Sequence, residues 1–188
     1  YSPVFYAAFA ATGASNSADL FRINDNSNPE DGTGDVILLK WTSGDGLDNA
    51  GVFTALWTQD GDGSTGGFLN GADTGDVKLA RMEVRAKVGF GQGSVSQMRF
   101  VIRKDGRYYI SGDRGDVSSV NLAGANEAPY ERIGLPNLYG TDWYEYDPLT
   151  DTLAIGQPVA IESFDGITAV GFNWRTSGDE KLRYLYVE

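Results

Sequence analysis

Polar and apolar residues alternate with a period of two along most of this chain, and no stretch shows the 3.6-residue stripe of an amphipathic helix. The clearest run is VKLARMEVRAKV at 77–88. It sets Leu79, Arg81, Glu83, Arg85 and Lys87 on one face and Lys78, Ala80, Met82, Val84, Ala86 and Val88 on the other. A strand with charges on one side and small apolar groups on the other belongs to an antiparallel sheet with one wet face. The run SVSQMRFVIRKDGRYYIS at 94–111 predicts a hairpin. Met98, Phe100 and Ile102 point inward; Gln97, Arg99, Val101 and Arg103 point outward. Lys104-Asp105-Gly106 is the turn, because Asp-Gly accepts the positive φ that tight hairpins require, and Tyr108, Tyr109 and Ile110 form the return.

Further strands are predicted at 4–11, 19–23, 36–41, 52–58, 117–122, 143–146, 159–162, 167–174 and 182–187. About a dozen short strands, punctuated by Gly, Asp, Asn and Ser and without helices, predict an all-β fold of two packed antiparallel sheets, a β-sandwich. The 188 residues show no internal repeat or linker, so residues 1–188 are expected to form one domain. The opening Tyr1-Ser2-Pro3 reads as the trimmed end of a mature chain or as a module of a larger protein.

Composition narrows the chemistry. With 41% hydrophobic and 22% charged residues the chain is globular in character, and no apolar run nears the roughly 20 residues of a membrane span. The chain has neither cysteine nor histidine. Disulfides, thiolate metal sites, Ser-His-Asp triads and His-ligated zinc are therefore excluded, and any catalysis would fall to carboxylates, Tyr, Lys or Arg. A net charge of −11 argues against nucleic acid and anionic lipid as partners. The charge is uneven: −9 over 1–76, +6 over 77–114 and −8 over 115–188. The basic middle is either the solvent face of two strands or a local anion site.

Two acidic loops are candidates for calcium, which takes six to eight hard oxygen ligands. TQDGDGSTGG at 58–67 alternates Asp60, Asp62 and Ser64, although Thr65 and Gly71 occupy positions where an EF-hand needs Gly and Glu. NDNSNPEDGTGD at 24–35 offers Asp25, Asn26, Asn28, Glu30, Asp31 and Asp35. Each loop reads equally as a solvated turn.

The segment LYGTDWYEYDP at 138–148 sets Tyr139, Trp143, Tyr144 and Tyr146 among polar residues. Flat aromatic faces suit the C–H faces of sugar rings, with polar side chains left to meet the hydroxyls. Alternation points Trp143 opposite to Tyr144 and Tyr146. Either Trp143 or the tyrosine pair is therefore available to a ligand, unless another loop covers it. Arg103, Arg107 and Tyr109 of the hairpin add cationic and aromatic candidates, since arginine pairs with carboxylate or sulfate through two hydrogen bonds. In ITAVGFNW, Val170, Phe172 and Trp174 share a face and are expected in the core.

The run from LARMEVRAKV through RKDGRYYIS, the late ITAVGFNW and the closing LRYLYVE resemble a concanavalin-like or jelly-roll β-sandwich, common as carbohydrate-binding modules of secreted bacterial polysaccharide-degrading enzymes. The resemblance implies non-catalytic polysaccharide binding, frequent structural calcium, an extracellular setting and a tether to a catalytic domain. The ligand residues expected on this reading are Trp143, Tyr144, Tyr146, Arg103, Arg107 and Tyr109; those expected for calcium are Asp25, Asn26, Asp31, Asp60 and Asp62. The alternative is a sandwich lyase or hydrolase using Arg81, Glu83, Arg85 and a Tyr. ARMEVR resembles the Arg-x-Glu-x-Arg strand of alginate lyases, but the Gln-x-His motif of those enzymes has no counterpart, and the Glu-x-Asp-x-x-Glu strand of laminarinase-type glycosidases is absent. A third reading is a calcium-stabilised adhesion or surface domain.

Overall fold

The period-two pattern is realised as two antiparallel sheets that enclose the core between them. The computed structural model describes residues 5–10, 17–24, 35–42, 51–58, 79–89, 95–112, 115–116, 131–135, 137–150, 152–153, 157–177 and 182–187. In chain order the strands are β1 (Phe5–Ala10), β2 (Ser17–Asn24), β3 (Asp35–Thr42), β4 (Gly51–Thr58), β5 (Met82–Gly89), β6 (Val95–Lys104) and β7 (Arg107–Ser111). They continue with β8 (Gly115–Asp116), β9 (Glu131–Leu135), β10 (Trp143–Asp147), β11 (Thr152–Leu153), β12 (Ile167–Ser177) and β13 (Leu182–Val187). The larger sheet runs β1-β4-β12-β6-β7-β10-β11, with β8 alongside β6; the smaller runs β2-β3-β13-β5-β9. The expected all-β sandwich is therefore the observed architecture.

Alternation decides which side chains meet between the sheets. From the larger sheet come Ala55, Met98, Phe100, Ile102, Trp143, Phe172 and Trp174; from the smaller come Met82, Val84, Ala86, Ile133, Leu135, Leu185 and Val187. The registers Phe172↔Phe100 and Trp174↔Met98 put large apolar residues side by side on the core face. Burying such side chains supplies most of the driving force for the fold, about 1.5–3 kcal/mol for each.

The outer face of the larger sheet carries a second buried cluster, Leu56, Val101, Ile110 and Tyr146. At its centre is a polar knot with no solvent contact at Thr54 and Asn173, both 0% exposed. Asn173 Nδ2 donates to Thr54 Oγ1 at 3.0 Å and to the Tyr146 hydroxyl at 3.0 Å, and the two hydroxyls share a 2.9 Å hydrogen bond. Gly171 lies in the same row, between Leu56 and Val101 in register. A Cβ there would fall onto the Ala55 carbonyl oxygen, so β12 approaches β4 as closely as it does only with glycine at this position.

Several boundaries differ from expectation. β5 begins at Met82, and the preceding Leu79 instead donates its backbone N–H to the Phe164 carbonyl at 3.2 Å. The strand expected at 159–162 reduces to one bridge, Val159 with Trp143. Pro158 before it has no N–H to extend the pairing. The strand expected at 117–122 lies outside the described residues. Three short strands, β8, β9 and β11, were not foreseen; β9 pairs with β5 and adds Ile133 and Leu135 to the core. Lys87 occupies the solvent-side parity of β5 but is 1% exposed.

After β10 the chain turns through Asp147-Pro148-Leu149-Thr150. Asp147 Oδ2 accepts from Thr150 Oγ1 at 2.8 Å and Oδ1 accepts from the Leu149 N–H at 2.9 Å. These bonds, the Thr150 hydroxyl first, hold the Asp147 carboxyl below its ordinary value of 3.8.

Three outcomes follow for stability. Gly171→Ala should cost about 3 kcal/mol or more, read as a lowered urea midpoint, because the obstructing atom is backbone. Tyr146→Phe should cost about 1–2 kcal/mol by the same measurement, since it removes one corner of a buried polar knot. Because folding lowers the Asp147 pKa, its contribution is fully present above pH 3.8 and is lost as pH falls through the folded value. The stability gap between the parent chain and Asp147→Ala should therefore be constant near neutrality and close on acidification below that point.

Candidate functional site

The hairpin that joins β6 to β7 sets the register of the site. Asp105 (φ 50°) and Gly106 (φ 78°) are both left-handed, the conformation of a two-residue primed turn whose twist matches its strands. That turn pairs Lys104 with Arg107, Arg103 with Tyr108 and Ile102 with Tyr109. Arg103 and Tyr108 thus share the outer face of the larger sheet, while Tyr109 shares the core face with Ile102. Pairing of β7 with β10 continues the outer face, setting Tyr146 beside Tyr108 and Tyr144 beside Ile110.

The result is a surface with a buried floor and half-open edges. Tyr146, Val101, Ile110 and Leu56 form the floor, and Tyr108 and Tyr144 pack on it while remaining half-buried. The Arg103 guanidinium carbon lies 5.6 Å from the centre of the Tyr108 ring, a cation–π distance. The Arg103 Nε–H is buried and meets no hydrogen-bond acceptor. A buried guanidinium donor without an acceptor costs about 1–3 kcal/mol. Gly112 fits Tyr144 against the sheet: a Cβ at Gly112 would stand 3.1 Å from Cε2 of Tyr144 and 3.2 Å from Cβ of Asp142.

The expected ligand residues divide accordingly. Arg103 and Tyr144 share this face. Tyr146 lies on the same face but is 3% exposed, with its hydroxyl spent on Thr54 and Asn173, so it supports the surface without presenting a ring. Trp143 points the other way and is 1% exposed. It packs beside Phe164 at 5.8 Å, and its Nε1 donates to the Leu138 carbonyl at 3.0 Å; a ring sealed in the core offers no face for stacking. Tyr109 packs against the main core, which removes it from the ligand set. Arg107 lies at the exposed hairpin end, 3.5 Å from Glu145, where solvent screens the pair. Tyr108 is the residue absent from the expected set. The Asp-Gly turn carried the signal, because a two-residue loop pairs position 103 with position 108.

On the smaller sheet, Glu83 is 3.4 Å from Arg132, Arg81 is exposed and Arg85 is half-buried. These residues of the lyase or hydrolase alternative therefore lie on the opposite sheet from the tyrosine surface. Asp25, Asn26, Asp31, Asp60 and Asp62 lie outside the described residues. Among the described residues no group of three or more acidic side chains is placed to hold a metal ion.

No protein-family model matches the chain, and no curated protein matches it. Among solved structures the chain is similar to the family 11 carbohydrate-binding module of the cellulosomal cellulase Lic26A-Cel5E of Clostridium thermocellum. The likeness has 10% sequence identity and a TM-score of 0.43, covering 97% of this chain and 84% of that one.

Proposed function

We propose that this chain binds a polysaccharide without cleaving it, on the outer face of the larger sheet. The carrying observation is the Arg103 guanidinium over the half-open Tyr108 ring, on the same sheet face as the half-open Tyr144. A saccharide is amphipathic in the matching way: ring C–H groups lie on tyrosine faces while a hydroxyl or carboxylate oxygen accepts from the arginine. The floor beneath is rigid because its polar groups are bonded to one another, so little ordering is left to oppose binding. Small surfaces of this kind bind weakly one at a time, which suits a module tethered to a catalytic domain in an extracellular setting. Calcium held by Asp25, Asn26 and Asp31 or by Asp60 and Asp62 is proposed as a structural ion that offsets the crowding of carboxylates in those loops.

Affinity electrophoresis against a panel of neutral and acidic polysaccharides tests the assignment. The parent chain should be retarded by at least one of them. Arg103→Gln and Tyr144→Ala should each weaken retardation about tenfold with melting temperatures within a few degrees of the parent, while Tyr144→Phe keeps it. Retardation unchanged in both of the first two variants sinks the proposal.

A further inference from the structure

A different part of the fold holds an aromatic ring outward at some structural expense. Residues 138–140 form a single 3-10 turn, Leu138–Gly140, whose every anchor spares Tyr139. Asn137 caps it, its Oδ1 accepting from the Gly140 N–H at 3.1 Å and its carbonyl accepting from Thr141 Oγ1 at 3.0 Å. The Leu138 side chain is buried, and its carbonyl accepts from the Trp143 indole. A Cβ on Gly140 would stand 2.6 Å from Asn137 Nδ2, so a side chain there would push the Asn137 amide from its capping position.

Tyr139 itself is 55% exposed. Its ring meets that of the fully buried Phe164 at 5.0 Å and 89°. A perpendicular contact covers at most one face of the ring and fixes its orientation. Beside it lies a cleft of about 280 Å³ lined by 138–143 and 158–162. Exposed Val159 contributes apolar surface. Among the described residues, the ionisable groups in the lining besides Tyr139 are Asp142 and Glu162, both exposed, and none is a lysine or arginine.

We propose that this cleft is a second carbohydrate site, one that takes a neutral, hydroxyl-rich sugar ring. Tyr139 supplies the stacking face, and the carboxylates of Asp142 and Glu162 accept from sugar hydroxyls, charge-assisted bonds stronger than neutral ones. The same carboxylates repel uronate and sulfate groups. The preference is thus opposite to that of the Arg103 surface, which supplies a cationic donor. The inference shares with the proposed function the class of ligand, while its residues are separate.

Isothermal titration of the intact chain with cellohexaose, xylohexaose, mannohexaose and an oligogalacturonate tests it. At least one neutral hexaose should bind. Tyr139→Ala should weaken that binding about tenfold, Tyr139→Phe should keep it, and the double variant Asp142→Asn with Glu162→Gln should weaken it while leaving the melting temperature unchanged. Arg103→Gln should leave it intact, and the oligogalacturonate should not compete. The proposal is overturned if no neutral hexaose binds, if Tyr139→Ala binds as the parent does, or if oligogalacturonate displaces the hexaose. Loss of binding in Arg103→Gln together with an unaffected Tyr139→Ala overturns this site while supporting the Arg103 surface. The reverse pattern supports this site, and the Arg103 surface stands or falls on the electrophoresis of its own variants.

Discussion

The pairing of β6 with β12 is the constraint on which the rest depends. These two long strands lie at the centre of the larger sheet, in register from Val101↔Gly171 out to Val95↔Ser177, with one irregularity between Ile167 and Ala169. Because side chains alternate, that register sends Met98, Phe100, Phe172 and Trp174 into the space between the sheets. The same register sends Val101, Arg103 and Asn173 to the other side. A slip of one residue would exchange the two sets. The largest apolar residues of both strands would then face outward, and an arginine would enter the core. Hydrophobic burial therefore specifies the register, and the register builds the outer surface at no further cost.

That outer surface is unlike the solvated face expected of an antiparallel sheet. Leu56, Val101 and Ile110 are buried there, and so is the polar knot of Thr54, Asn173 and Tyr146. Buried polar groups specify geometry sharply because each unmet bond is costly. The knot ties β4, β12 and β10 together across the sheet and steadies the tyrosine row above it. The smaller sheet behaves in a similar way at Lys87, which sits at a solvent-side position but is enclosed.

Two regions of opposite chemistry result. The hairpin brings Arg103 alongside Tyr108, and β10 adds Tyr144 to the same face. The turn before β10 and the segment after Pro158 bring Tyr139 beside Asp142 and Glu162. In a chain carrying −11 overall, the Arg103 guanidinium stands against the general field, while Asp142 and Glu162 follow it.

By itself the sequence determined the all-β sandwich, the inward rows of β5, β6 and β12, and the Asp105-Gly106 turn, because each rests on local alternation or on a local φ requirement. It also determined that Trp143 and the pair Tyr144 and Tyr146 face opposite ways. Which of them met solvent was decided by tertiary structure, since burial depends on what arrives from distant parts of the chain. Phe164 packs on Trp143, and Thr54 and Asn173 engage Tyr146. Tyr109 faces the core while its neighbour Tyr108 faces outward, and Tyr139 stands exposed on a capped turn. Alternation says which residues share a side, but only the register with a partner strand, or the cap that holds a turn, says which side is open.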